Sequence, residues 1–394
     1  MEPSSFSLDA SALWPRVAVI YLTYNTKDSA VEIPRCMTSL EKVRYPLDRW
    51  EIICVENPSA HGASWPFIER DWVPKAGKTL PSITIEKNTV DKGYAGANNV
   101  GLEIAKAHGC DYVFLLNQDT EVDPDFLRNA VARAEADPAV GLVQAFVRLG
   151  QTKDRVNSRG NAYHFLGYGF AQGNHTPLTV VEADLARERA SNPDLIVPTA
   201  TGAALLVRLA MVEQTGLFDG KFYMYHEDMD LSFQARLQGW KVVIDPSSVV
   251  YHYYVFSKSI KKFYWMERNR FVFLLSYYKL ATLVLIAPMF FVVEAGSFLL
   301  AIRGGWWREK VRAWGFFFHP STWAWVSQRR TAIQSLRRLS DRELLKYAGA
   351  SILFQDGGED EARIREDING GLVTRIANPL MGLYWKIVYA LIRW

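Results

Sequence analysis

The sequence predicts an α/β fold with a mostly parallel central sheet, and three observations carry that expectation. Val17 to Thr23, Glu51 to Glu56, Ile83 to Lys87 and Tyr112 to Leu116 are short, apolar, β-branched-rich runs, separated by stretches long enough for crossover helices. The fourth run ends abruptly in Asn117-Gln118-Asp119-Thr120-Glu121, which delivers carboxylates to the carboxyl end of a buried strand, where open parallel sheets bind ligands. Finally, 394 residues exceed one typical core, so a second unit should follow the first.

One crossover helix should begin near Ala95 and stop at Gly109, a residue suited to a left-handed cap. Another should start after Asp123-Pro124, with the proline at the first helical position. Between Gly150 and Pro198 the pattern weakens and Gly, Asn and Arg accumulate; the segment reads either as a mobile cover over the site or as an ordinary surface excursion. Order returns with Thr201 to Arg208 and a helical turn up to Gly216. An amphipathic helix is expected over Leu231 to Gly239, with Glu227, Asp228 and Asp230 at its amino end. Val249-Val250-Tyr251 predicts a strand ending at His252. From Ser257 the composition turns basic, aromatic and aliphatic together, so a boundary is placed near 255. Residues 1–255 then form one unit and 256–394 another, and a cut between them should release a soluble first domain.

The net charge of +3 says little, but its distribution says more: Ile302 to Lys346 holds ten Lys and Arg against Glu309, Asp341 and Glu343. Three widely spaced cysteines, Cys36, Cys54 and Cys110, fit neither a disulfide framework nor a zinc knuckle, which favours a reducing compartment. Met1 to Leu13 has no basic stretch followed by an apolar core, so the amino-terminal part is expected to stay in the cytosol.

Asp119 alone is weak, because a strand-end carboxylate is commonly a helix cap or a solvated loop residue. The second cluster, Glu227-Asp228-Met229-Asp230, gives it company, although acids at a helix amino terminus also suit the macrodipole. Two acidic clusters far apart in sequence suit a reaction on a nucleotide diphosphate: one can hold a divalent ion on the phosphates while the other removes a proton. His252 is either an imidazole ligand beside that ion, which would suit Mn2+ as well as Mg2+, or a hydrogen-bonded core residue. Gly93-Tyr94-Ala95-Gly96-Ala97-Asn98-Asn99 opens a helix after a strand and allows close backbone approach to a ligand, but it has neither the dinucleotide nor the phosphate-loop spacing.

Five motifs in order over about residues 16 to 270 resemble the family 2 inverting glycosyltransferases of GT-A fold, in particular their rhamnosyltransferase-like branch. They are Leu22-Thr23-Tyr24-Asn25; Val55-Glu56-Asn57-Pro58-Ser59; Asn88 to Gly101; Leu116 to Val122; and Thr201-Gly202-Ala203-Ala204 with Gly216-Leu217-Phe218-Asp219 and Tyr225 to Ser232, ending at Gly239-Trp240. The resemblance implies that Thr23, Tyr24, Asn25, Glu56, Asn57, Gly93, Gly96, Asn98, Asn117 and Gln118 bind the donor, with Glu56 standing where the family usually has Asp. It implies that Asp119, in a DxD-like motif whose first position is Asn117, holds Mn2+ or Mg2+; His252, at its strand-end position, is the candidate second ligand. It further implies that Asp228 is the catalytic base and that Glu227 orients the acceptor or Asp228. The expected reaction moves a sugar from a dTDP- or UDP-linked donor, dTDP-rhamnose first, to a hydroxyl of a lipid-linked glycan in cell-surface polysaccharide assembly. Competing classes are a noncatalytic glycan- or nucleotide-binding subunit on the same fold and a sugar nucleotidyltransferase.

Leu280 to Ile302 is largely apolar but contains Pro288, Glu294, Gly296 and Ser297, and its uninterrupted part is short for a bilayer span. Lys258, Lys261, Lys262, Arg268, Arg270 and Lys279 precede or flank it, and Trp306, Trp307, Trp314, Trp323 and Trp325 follow. This mixture predicts monotopic attachment to an anionic membrane surface, on its cytoplasmic face, in preference to a spanning helix. The alternative is a helical appendage packed on the catalytic unit. A nucleic-acid partner is not expected, since no nucleic-acid motif accompanies the charge. Gln355 to Asp367 reads as a solvated acidic loop, and Leu380 to Trp394 as a further apolar, aromatic segment.

Overall fold

The computed structural model describes residues 14–254, 263–351 and 372–394. The expected boundary at 255, the amino-terminal Met1 to Leu13 segment, Lys258, Lys261 and Lys262, and the Gln355 to Asp367 loop lie outside the described residues.

The four apolar runs are β1 (Val17–Tyr24), β2 (Trp50–Asn57), β3 (Ser82–Lys87) and β4 (Tyr112–Asn117), all parallel to one another. β1 and β2 are buried on both faces, which is why they read as continuous rather than alternating apolar stretches. β5 (Thr120–Val122), β6 (Val140–Leu149), β7 (Val156–Ser158), β10 (Ala204–Arg208) and β11 (Lys241–His252) complete a nine-stranded sheet in the order β3-β2-β1-β4-β10-β6-β11-β5, with β7 on β6. β10 runs antiparallel between β4 and β6, so the sheet is mixed at its centre.

Helices α1 (Ser29–Leu40), α2 (Trp65–Asp71), α3 (Gly93–Ala107), α4 (Phe126–Glu135), α5 (Leu178–Glu188), α6 (Leu209–Thr215) and α7 (Glu227–Leu237) complete the first unit. α3 can lie close on β1 because Gly101 has no side chain: a Cβ there would stand 2.6 Å from Ile20 Cγ2. Two expected boundaries shift. α4 begins at Phe126 with Asp125 as N-cap, so Pro124 lies outside the helix, and its carbonyl accepts from Arg44 N at 2.8 Å. α7 begins at Glu227, four residues earlier than expected, which puts Glu227, Asp228 and Asp230 inside its first turn. The Gly150 to Pro198 stretch is not a structureless cover: it contributes β7, the hairpin β8 (Asn161–Tyr163) with β9 (Gly169–Ala171), and α5.

The carboxyl-terminal helices are α8 (Phe263–Tyr277), α9 (Leu280–Arg303), α10 (Trp307–Gly315), α11 (Pro320–Ser335), α12 (Asp341–Leu344) and α13 (Leu372–Leu391). They pack directly on the first unit. Met229, Phe233 and Leu237 of α7 share one buried cluster with Phe273, Tyr277, Ile333, Leu344, Trp385 and Val388. Asp230, fully buried, accepts from Tyr277 Oη (2.6 Å) and pairs with Arg329, which also reaches Asp219 (3.0 Å). A cut near 255 would strip one side of α7 and leave a buried carboxylate without its cation.

Candidate active site

The end of β4, the start of α3 and the start of α7 converge on the segment Thr201-Gly202-Ala203 that enters β10. Asn117 N, at the end of β4, donates to Ala203 O (3.1 Å); Gly202 N donates to Asp228 Oδ2 (3.2 Å); and Tyr94 Oη, from α3, donates to Gly202 O (2.6 Å). Gly202 and Ala203 thus tie together the strand that leads to Asp119, the helix carrying Glu227 and Asp228, and the glycine-rich turn of α3. Gly202 has to be glycine, since a Cβ would meet Tyr94 Oη at 2.6 Å.

Asp228 accepts a second backbone bond from Met229 N (2.7 Å). Glu227 is 7% exposed, and its Oε2 has no hydrogen-bond partner. Burial pushes both carboxyls above their usual range, and for Glu227 the charge of Asp228 adds to the shift. A carboxylate whose proton affinity is raised in this way is a stronger base, which is what deprotonating an alcohol requires. Tyr94 is the neighbouring phenol: burial and the two carboxylates raise its pKa, so it stays protonated and donates. His226, just ahead of the pair, is lowered to about 4 by burial and is therefore neutral, its Nε2 hydrogen-bonded to Gly167 O at 3.0 Å.

The antiparallel pairing of β11 with β5 sets His252 opposite Thr120, and Tyr253 N donates to Asp119 O (2.8 Å). His252 Nε2 consequently lies 3.2 Å from Asp119 Oδ1. Its other nitrogen, Nδ1, faces Asn157 Oδ1 at 3.2 Å, while Asn157 Nδ2 is turned to Asn174 Oδ1 (3.3 Å). With Nδ1 donating to an amide oxygen, the neutral ring aims a lone pair at a carboxylate oxygen; the pair is satisfied by an imidazolium proton or by a cation in its place. The donor set fits a divalent ion. Among the described residues no three His, Cys, Asp or Glu side chains gather into a complete cage, so an ion held here would take at most these two side chains and would need further oxygen ligands from outside the chain.

The expected donor-binding residues fall into two groups. Tyr24 is exposed, and Asn25 Nδ2 donates to His61 O (2.9 Å) at the same rim. Gly93 has φ of +65° and its backbone is overhung by Tyr223; Gly96 sits one turn into α3. The others are engaged inside the protein. Glu56 accepts from Ser64 N (2.7 Å), Ser64 Oγ (3.0 Å) and Trp65 N (2.6 Å), so its carboxylate caps the start of α2. Asn57 bonds Gly93 O (3.0 Å) and Asn88 (3.0 Å); Asn98 holds Tyr94 O (2.9 Å); Thr23 is buried against Val55 O. Gln118 accepts from Tyr24 N (2.9 Å) and donates to Glu32 (2.8 Å), fixing the β1 loop rather than presenting its amide outward. Asn157 and Tyr94 were missed as site-building side chains. Asn157 lies where the sequence pattern is weakest, whereas Tyr94 was within reach as the one aromatic in a turn of small residues.

Residues 18–202 match the glycosyl transferase family 2 profile, and residues 112–328, more than half of the chain, match that of glycosyl transferase family group 2. Among curated proteins, glucomannan 4-beta-mannosyltransferase 7 of Arabidopsis thaliana is 27% identical over 59% of this chain and 38% of its own length. Glucomannan 4-beta-mannosyltransferase 1 of Cyamopsis tetragonoloba is 25% identical over 62% and 42%. The chain thus spans about two-fifths of the length of these relatives. A crystal structure of GalNAc-T7 with UDP, GalNAc and Mn2+ superposes with a TM-score of 0.51 at 16% identity, covering 68% of this chain and 49% of that one, which is a likeness of fold. The motifs, the sheet order and the profile matches agree: the chain belongs to glycosyl transferase family 2, on a GT-A-like α/β fold with a carboxyl-terminal helical region.

Proposed function

We propose that this chain is an inverting hexosyltransferase that moves a sugar from a nucleoside diphosphate to a glycan hydroxyl. The observation that carries this reading is the meeting of the Asp119 strand, the Glu227–Asp228 helix and the α3 turn at Gly202 and Ala203. In the proposed reaction the acceptor oxygen forms a bond to the anomeric carbon while the bond from that carbon to the diphosphate oxygen breaks. Asp228 takes the hydroxyl proton, and the nucleoside diphosphate leaves. Glu227, buried beside it, directs its open oxygen at the acceptor. Asp119 and His252 would hold Mn2+ or Mg2+, which supplies charge neutralisation for the departing diphosphate. Tyr24, Asn25 and the Gly93–Gly96 turn form the nucleotide side, with Glu56, Asn57, Asn98, Asn117 and Gln118 fixing its loops. The mannosyltransferase names of the relatives support a mannosyl nucleotide over dTDP-rhamnose as donor.

The acceptor is proposed to be lipid-linked and the protein monotopic on the cytoplasmic membrane face. α9 is long and apolar enough to cross a membrane by length and composition. One of its faces, with Thr282, Ile286, Glu294 and Ala301, is packed against protein; the other exposes Leu280, Val284, Phe291, Val292 and Leu299. α13 continues that surface with Leu380, Leu383, Ile387 and Leu391. A helix with one narrow face against protein and the other open lies on the protein's flank, which suits an in-plane contact.

The test is release of nucleoside diphosphate from GDP-mannose, UDP-glucose and dTDP-rhamnose with Mn2+ and a polyprenyl-linked saccharide. Wild type should release it and Asp228→Asn should fall about 10²-fold or more. Pyrophosphate release would point to a nucleotidyltransferase, and donor binding without any release to a noncatalytic subunit.

A further inference from the structure

The backbone leading into Glu227 and Asp228 is unusual. Tyr223, Tyr225 and His226 have φ of 65°, 66° and 69°, a region that side-chain-bearing residues adopt at a cost unless their surroundings overdetermine it. Asn269, on α8, is fully buried against this turn. Its Nδ2 lies 2.9 Å from Phe222 O, 2.9 Å from Met224 O and 2.7 Å from Tyr225 O. Its Oδ1 is held by Arg268 Nε (2.9 Å) and Nη2 (2.7 Å), which fixes the amide with its nitrogen toward the three carbonyls. On the opposite side Tyr223 O accepts from Ala95 N (3.0 Å) and Tyr223 Oη donates to Asp91 (2.6 Å), so the same turn also touches the glycine-rich entrance of α3.

We propose that Asn269 is a positioning residue for glycosyl transfer: by gathering the carbonyls of residues 222, 224 and 225 it holds the strained turn that aims Glu227 and Asp228 at the acceptor. This rests on the reading of the pair as base and acceptor-directing group. It assigns part of the catalytic machinery to the carboxyl-terminal helices, beyond the segment that carries the five sequence motifs' reacting groups. Aspartate cannot replace Asn269, because its second oxygen would face three acceptors.

The experiment compares wild type, Asn269→Asp and Asn269→Ser in full-length protein, measuring nucleoside diphosphate release from the best of the three donors above across pH, together with Mn2+ affinity from tryptophan fluorescence. Asn269→Asp should lower kcat about 10²-fold, the scale of a misplacement of about 1 Å. Asn269→Ser, which keeps one donor, should fall between the two and serves if the first variant does not fold. Mn2+ affinity should stay within about twofold, since Asp119 lies in the turn between β4 and β5 and His252 at the end of β11, outside residues 222–226. The charged and titratable groups bearing on the pair include Tyr94, Asp230 and the adjacent His226, which burial keeps neutral. A loosened turn admits water, which lowers the raised proton affinity of the pair and moves the acid limb of kcat to lower pH. Unchanged kcat in both variants, or a loss of kcat with the acid limb in place, overturns the assignment. Absence of release by wild type from every donor refutes instead the proposed function, and the positioning role falls with it.

Discussion

Glu227→Gln should stabilise the protein at alkaline pH while impairing it as a catalyst. The wild-type side chain is buried, its Oε2 meets no donor, and the neighbouring Asp228 charge adds to the desolvation that raises its pKa. A group whose folded pKa lies above its unfolded value of about 4.3 favours the fold when protonated. That contribution is complete below about pH 4 and is lost as pH rises through the folded value. Glutamine keeps the shape and stays neutral at every pH, so it retains what wild type loses. An unsatisfied buried polar group costs about 1–3 kcal/mol, and the amide still leaves one; the variant's advantage over wild type therefore grows as pH rises through the folded value and vanishes at about pH 4. Asp228→Asn should do the opposite, because both Asp228 oxygens accept backbone N–H groups and the amide nitrogen must confront one of them, a loss of about 1–3 kcal/mol. Urea unfolding at both pH values, followed by tryptophan fluorescence, measures the two differences. A Glu227→Gln protein that is less stable than wild type at pH 8, or whose advantage does not depend on pH, refutes the reasoning.

His252→Ala and Asp119→Ala should each abolish the rise in Tm that Mn2+ gives wild type, which at a hundredfold excess over Kd corresponds to about 2.7 kcal/mol; an unaltered rise would remove these residues from the metal site. Truncation after residue 254 should yield aggregated protein, since leaving Asp230 without Arg329 alone costs about 3–5 kcal/mol; a soluble, cooperatively unfolding fragment would contradict the shared core. Full-length protein should bind anionic liposomes better than neutral ones and lose part of that binding in high salt, whereas equal, salt-insensitive binding would argue for a spanning α9.

Much of this architecture was legible because burial leaves a local trace. β1, β2, β3 and β4 lie within a residue of the expected runs, and α3 ends where Gly109 takes up a positive φ. The sites of acidic residues were legible too, since carboxylates at strand and helix ends stand out against apolar neighbours. What the sequence does not display is which polar group answers which. Glu56 and Gln118 carry donor-site chemistry in their residue type, yet their partners, Ser64 and Glu32, turn them inward. Asp119 is joined to His252 across 133 positions and Tyr94 to Gly202 across 108, distances over which periodicity carries no information.

Glu294 shows how such long-range pairing decides a functional question. In sequence it is a charge two-thirds of the way along an apolar helix, costly in lipid unless it has a partner. In the fold it pairs with Arg270 and with Lys310 (3.0 Å); Glu267 joins both cations (2.9 and 3.0 Å), and Trp314 Nε1 adds a bond at 3.2 Å. Two carboxylates and two cations therefore close a neutral, buried cluster on the inner face of α9, next to the helix from which Asn269 reaches the catalytic turn. The charge in the middle of α9 is thus spent on protein while Leu280, Val284, Phe291, Val292 and Leu299 remain outside, an arrangement that suits the proposed in-plane contact. Arg270→Met should break that anchor, leaving Glu267 and Glu294 against Lys310 alone, and destabilise the protein by about 3–5 kcal/mol in urea unfolding. A loss below about 1 kcal/mol would mean that the cluster is not what holds α9 to α8.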